Sequence, residues 1–118
     1  MQTKVLIIGA GPTGLMMASQ LARFGVDFII VDQKATITDK SKALAVQART
    51  MEAYQQMGIS EAAVEQGMIG RAVNFVINGK PLRRIDLSNI GAGQSPFPYI
   101  IMLEQSKNEA LLLSLIHI

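Results

Sequence analysis

Cysteine is absent, which excludes disulfides, thiolate metal sites and cysteine nucleophiles together. Histidine occurs once, at His117 near the end of the chain, a poor position for a catalytic base. Aromatic residues make up only 5% of the chain, and the net charge of +2 comes from scattered lysines and arginines. That pattern fits neither a nucleic-acid surface nor a membrane-binding face. No apolar run approaches membrane-spanning length. The run that starts after Lys4 is broken by Gly9, Gly11 and Pro12, which argues against a signal peptide and for a cytoplasmic protein. Internal repeats and low-complexity segments are missing too. What remains is a chain of 118 residues, 49% hydrophobic and 17% charged, long enough for one modest domain with a core.

The most informative stretch is Val5-Leu6-Ile7-Ile8-Gly9-Ala10-Gly11-Pro12-Thr13-Gly14-Leu15. Four apolar residues, too few for a helix and rich in β-branched types, run into glycines spaced G-x-G-x-x-G. The spacing predicts a buried strand entering a helix through a tight turn, with a nucleotide pyrophosphate at the turn. Gly9 permits the turn, Gly11 lets the backbone approach a phosphate, and Gly14 lets the helix pack on the strand. Pro12 suits the first helical turn, where the free N–H groups and the positive dipole end face an anion.

The following residues complete a βαβ unit. Ala18, Leu21 and Ala22 continue at helical spacing, and Gly25 closes the helix. A second strand, Phe28-Ile29-Ile30-Val31, ends on Asp32, where a carboxylate is needed to accept hydrogen bonds from a ribose. An acid at this position also disfavours a 2′-phosphate, hence NADP, as the occupant.

Gln33 to Lys42 is a polar loop that would lie over the adenosine end of a nucleotide. Ala45 to Met57 contains no helix breaker and places Val46, Thr50, Tyr54 and Met57 on one face, which predicts a helix stopped at Gly58. Met51, Tyr54 and Met57 are expected in the core. Ser60 to Glu65 is expected to form a short helix capped by Ser60 and finished by Gly67. Ala72 to Ile77 and Leu82 to Leu87 are strand-like runs flanking Asn78-Gly79, a hairpin signal, with Lys80, Arg83 and Arg84 in water. Ser88 to Pro98 is a loop, Tyr99 to Leu103 a further strand, and Gln105 through Leu113 a helix. A hairpin interrupts simple βαβαβ repetition, which does not suit an NAD-dependent dehydrogenase.

In combination these residues resemble the N-terminal part of the FAD-dependent aromatic hydroxylases, the single-component flavoprotein monooxygenases related to p-hydroxybenzoate hydroxylase and phenol hydroxylase. Four pieces carry the resemblance in order: Val5 to Leu15, the acidic strand end at Asp32, the segment Ser41 to Glu52 containing Arg49-Thr50-x-Glu52, and Pro98-Tyr99 followed by Gln105 and Glu109. The implied fold class is α/β: a Rossmann-like FAD-binding βαβ unit with parallel sheet, plus the start of a hairpin-containing substrate region, in an incomplete domain. Residues 1–70 would form the nucleotide-binding part and following helices, 71–98 the beginning of the substrate region, and 99–118 a return to the FAD domain.

The resemblance implies that Gly9, Gly11, Pro12, Thr13 and Gly14 bind the FAD pyrophosphate, and that Asp32 with Gln33 lies at the adenosine ribose. Lys42 stands where the family more often has arginine; it keeps the charge but loses the bidentate fork. Arg49 is a second basic candidate near the cofactor, and Gln105 corresponds to a glutamine that contacts the ribityl chain. The plain alternatives are a solvated loop lysine, a surface arginine and a first-turn helix residue. The implied activity uses NAD(P)H and O₂, through a flavin C4a-hydroperoxide, to hydroxylate a small aromatic, phenolic substrate, with a homodimer for the full-length protein. No catalytic side chain and no metal is expected in this stretch.

Other readings are a ubiquinone-biosynthesis hydroxylase, a halogenase or a reductase sharing the opening motif, or an inactive truncated nucleotide-binding module. The family's later Asp-Gly and Gly-Asp motifs are not in the sequence, so a fragment is expected, with uncovered apolar faces and weak FAD binding when isolated. Leu113 to Ile118 also reads as the translation of a sequencing-library transposon end, which the source DNA would decide.

Overall fold

A computed structural model describes residues 2–40, 42 and 45–116. Ser41 of the resemblance segment and His117 lie outside the described residues. The described residues fall into two compact units, one drawn from Met1–Ala43 and Glu104–Ile118, the other from Leu44–Leu103.

In the first unit, β1 (Val5–Ile8) and β2 (Phe28–Val31) pair in parallel, Val5 opposite Phe28 and Ile8 opposite Val31. Between them runs α1 (Pro12–Arg23), so the expected βαβ unit is present. Its end is a glycine stop: Gly25 has φ +66°, and its N–H donates to the Ala22 carbonyl while that of Val26 donates to Leu21. The core of this unit is the seam between α1 and α4 (Gln105–Ser114), where Leu15, Ala18, Leu111 and Leu112 are buried. The Ser19 hydroxyl lies 2.7 Å from the Leu15 carbonyl oxygen and 3.2 Å from that of Leu112, joining the two helices. Two expectations need correcting. Ala22 is exposed, and β1 is not fully buried: Leu6 and Ile8 face outward, because the strand pair is covered by a helix on one side only.

In the second unit, β3 (Ala45–Val46), β7 (Ile100–Met102) and β4 (Met68–Gly70) form a small antiparallel sheet in the order β3-β7-β4. The helix expected from Ala45 is therefore shorter. It begins as α2 (Ala48–Met57), and Val46 is buried from a strand opposite Ile101 and not from a helix face. A two-residue strand is too short for period-two alternation to register, so helical spacing absorbed it. Met51 and Tyr54 are fully buried, as expected of core residues, whereas Met57 is half-buried. Gly58 ends α2 at φ +77°.

The next helix, α3, spans Ser60–Gln66, and Ser60 is its first residue, not its cap. Ile59 occupies the cap position without a side-chain hydrogen bond, and buried Ile59 and Ala63 fasten the helix instead.

The hairpin forms, β5 (Ala72–Ile77) against β6 (Lys80–Asp86) across Asn78-Gly79, with its second strand starting at Lys80, directly after the turn, and not at Leu82 as expected. Both turn residues have positive φ, +50° and +74°, as a two-residue turn matching strand twist requires. A bulge between Phe75 and Val76 brings Pro81 opposite Val76. Lys80, Arg83 and Arg84 are exposed, and so are Val73, Phe75, Val76, Ile77 and Leu82. Among the described residues no helix is long and apolar enough to cross a membrane.

Candidate functional site

The first unit brings the glycine turn and Asp32 together. The Gly9 N–H donates to the Val31 carbonyl at 2.7 Å, which places the turn beside the tip of β2. There the Asp32 carboxylate accepts two backbone hydrogen bonds, Oδ2 from the Ala10 N–H at 2.6 Å and Oδ1 from the Lys34 N–H at 2.7 Å. The Lys34 and Ala10 amides hold this carboxyl below its ordinary range, so it is ionised at neutral pH. Each oxygen keeps a further lone pair for an outside donor.

Backbone geometry and packing distinguish the three glycines. Gly9 sits at φ +106°, where side chains are strained. A Cβ on Gly14 would collide with the Gly9 carbonyl oxygen and press on the Ile7 side chain, so this position is closed by protein packing. At Gly11, as at Gly9, a Cβ would meet no protein atom within 4 Å, so the space above the turn is open. Gly11 also caps α1 in an extended conformation with no side-chain cap, Pro12 follows at the first position, and the first turn contains no acid. The N–H groups of Thr13 and Gly14 thus open a helix whose first turn holds no acid and no side-chain cap, a suitable cradle for an anion. A concavity of about 170 Å³ adjoins this place, lined by Ala10, Leu15, Asp32, Thr36, Ile37 and Leu113 among others.

The other sequence candidates are arranged differently. Gln33 and Lys42 are exposed loop residues. Gln105 stands in the first turn of α4, its amide Nε2 donating to Glu109 Oε1 at 2.7 Å. Glu109 is completely buried, and its Oε2 accepts from the Thr38 N–H at 3.1 Å. Sequence reasoning gave this carboxylate no task, although a lone acid two residues before the apolar Leu111-Leu112-Leu113 was a readable signal. Arg49 belongs to the second unit, with its side chain 94% exposed and its Nη1 3.0 Å from Glu52. Ser95 and then Arg49 hold the Glu52 carboxyl below its ordinary value. Arg49 also borders a concavity of about 290 Å³ shared with Tyr99 and Ile100.

A parallel strand pair joined through a glycine turn, with an ionised acid at the second strand's tip, defines a dinucleotide-binding protein of α/β class. The chain belongs to the FAD binding domain family, which it matches over residues 2–115. It is 39% identical to 6-methylpretetramide 4-monooxygenase of Streptomyces rimosus over 111 residues, covering 92% of this chain and 19% of that enzyme. It is 32% identical to pentachlorophenol 4-monooxygenase of Sphingobium chlorophenolicum over 108 residues, covering 92% and 20%. The flavin-dependent monooxygenase PieE, solved with FAD and substrate, superposes with a TM-score of 0.86 at 26% identity, covering 99% of this chain and 22% of that one. The chain spans about a fifth of the length of these curated relatives.

The residues present fit FAD. An anion cradle at α1, space above Gly11 and an ionised carboxylate with free lone pairs are what a dinucleotide's phosphates and ribose hydroxyls need.

Proposed function

We propose that the chain is the FAD-holding portion of a monooxygenase that hydroxylates a small aromatic compound with NAD(P)H and O₂. The observation that carries it is the Asp32 carboxylate hydrogen-bonded to Ala10 inside the glycine turn, beside the uncapped start of α1. In this reading Gly9, Gly11, Pro12, Thr13 and Gly14 hold the pyrophosphate. Asp32 accepts from the ribose hydroxyls, and Gln33 flanks the adenosine. Gln105 accepts from the ribityl chain, while Lys42 and Arg49 lend positive charge. When bound, FAD would supply the redox and oxygen-transfer chemistry, and the protein's share is to bind, orient and exclude water. The hairpin and loop of residues 71–98 begin the substrate region. An aromatic substrate is supported by the relatives' names, which include a chlorophenol and a p-hydroxybenzoate enzyme.

The test is to express the complete reading frame that carries these residues, titrate it with FAD by flavin fluorescence, and assay NAD(P)H oxidation with a panel of phenols. Stoichiometric flavin and phenol-dependent, O₂-consuming NAD(P)H oxidation with a hydroxylated product are expected. Absence of flavin binding would overturn the cofactor assignment, and flavin binding with NAD(P)H oxidation but no oxygenated product would redirect it to a reductase.

A further inference from the structure

Three polar side chains are buried among the described residues, Ser19, Thr38 and Glu109, and Glu109 is the one with a carboxyl group. Neither ion pair found among the described residues, Arg49–Glu52 or Lys107–Glu104, involves it. Burying a carboxylate is costly unless its oxygens are hydrogen-bonded, and an apolar residue would hold a helix seam at lower cost. Both Glu109 oxygens are committed, each to a different element: Oε1 to the Gln105 amide on the same helix, Oε2 to the backbone N–H of Thr38 in the loop after β2.

That loop is a wall of the candidate site. Thr36 and Ile37, just before Thr38, line the concavity that contains Asp32. Gln105, Glu109 and Leu113 follow one another at i, i+4 and i+8 along α4, and Leu113 lines the same concavity. Donating one N–H to Glu109 fixes which way the Gln105 amide faces, so its oxygen is held in one orientation to accept a hydroxyl proton, with the second N–H still free to donate.

We infer that Glu109 is a positioning residue for the cofactor: it sets the Gln105 amide to accept from a hydroxyl-bearing chain and pins the Thr38 loop beside Asp32. The inference rests on the FAD reading above, and it adds a division of labour between the two halves of the ligand. Gln105 serves only the polyol half, whereas Glu109 serves both halves, through Gln105 on one side and through the loop on the other.

The test uses the polypeptide of the complete reading frame with FAD and with ADP, which lacks the polyol chain, as probes. The variants are Gln105→Ala, Glu109→Gln and the pair, with affinity by titration and melting temperature without ligand. Gln105→Ala is expected to weaken FAD on the order of tenfold, the loss of a hydrogen bond, and to leave ADP unchanged. Glu109→Gln weakens both probes, FAD more than ADP. The double variant binds FAD no worse than Glu109→Gln alone, because Gln105 acts through its partner. Glu109→Gln that lowers the melting temperature while FAD and ADP affinities hold would reduce Glu109 to packing and sink the inference, as would additive losses in the pair. If Glu109→Gln does not fold, Glu109→Asp draws the carboxyl group back from both of its partners: FAD weakened more than ADP then supports the proposal, and unchanged affinities for both defeat it. An unaltered polypeptide that binds neither probe overturns the cofactor reading itself, a result distinct from any of these.

Discussion

Asp32 and Ala10 are 22 residues apart in sequence, yet the Asp32 Oδ2 accepts the Ala10 amide proton at 2.6 Å. The same carboxylate that a ribose would use is thus the latch that closes the glycine turn onto the second strand. In the proposed FAD reading, binding and local folding would be coupled at that one side chain.

Replacing Asp32 by Asn separates these roles by pH. An Asn oxygen satisfies one of the two backbone donors, but its NH₂ then faces the other. The folded carboxyl is held below its unfolded value by the Lys34 and Ala10 amides, so its stabilisation is present above the unfolded pKa and lost as pH falls through the folded one. The melting temperature of the unaltered protein should exceed that of Asp32→Asn by a constant margin above roughly pH 5, and the margin should close below roughly pH 4. A margin that persists undiminished to lower pH would show that the carboxylate's charge is not the source. FAD affinity should fall in Asp32→Asn at neutral pH.

Gly14→Ala and Gly11→Ala should differ in kind. At Gly14 the new methyl meets the Gly9 backbone carbonyl, which cannot move aside, so a loss of about 1–3 kcal/mol in denaturant unfolding is expected. At Gly11, with φ −80° and open space, unfolding should be little changed while FAD affinity drops. Equal effects of the two substitutions on unfolding would contradict the distinction.

Arg49→Ala tests whether the arginine serves the cofactor or only Glu52. An ion pair whose arginine side chain is almost wholly in water is screened by solvent and salt, so the melting temperature should barely move. A fall in FAD affinity that shrinks at high salt supports a cofactor role. Unaltered FAD affinity leaves Arg49 as the partner of Glu52.

The 118-residue chain expressed alone should self-associate and bind FAD weakly. Leu6, Ile8, Phe75, Val76 and Leu82 are exposed, and the β1–β2 pair and the hairpin have open edges. Replacing Val76 and Leu82 by threonine, which keeps strand propensity, should lower light scattering at a given concentration. A monomer carrying stoichiometric flavin would be the contrary result.

Much of the candidate site could be read locally. Glycine spacing, β-branched runs and the acid after Val31 are short-range signals, since a turn, a strand and a helix start are set by neighbours in sequence. Asn78-Gly79 likewise specified its turn, because few residue pairs accept two positive φ values. Val46 and Ser60 were misread for the opposite reason. Val46 joins a strand because Ile101, 55 positions on, supplies its partner, and α3 starts at Ser60 without a side-chain cap because buried Ile59 and Ala63 hold it.

The amino-acid order alone therefore determined the βαβ unit, its glycine turn, the acid at the strand tip and the hairpin, all written in residues adjacent in the chain. Tertiary structure decided that β7 is flanked by β3 and β4, that Gly14 is closed by packing while Gly11 is open, and that Glu109 joins Gln105 to the Thr38 loop. These depend on groups distant in sequence meeting in space. A hydrogen bond across 71 residues leaves no periodicity to read, only an acid beside a run of leucines.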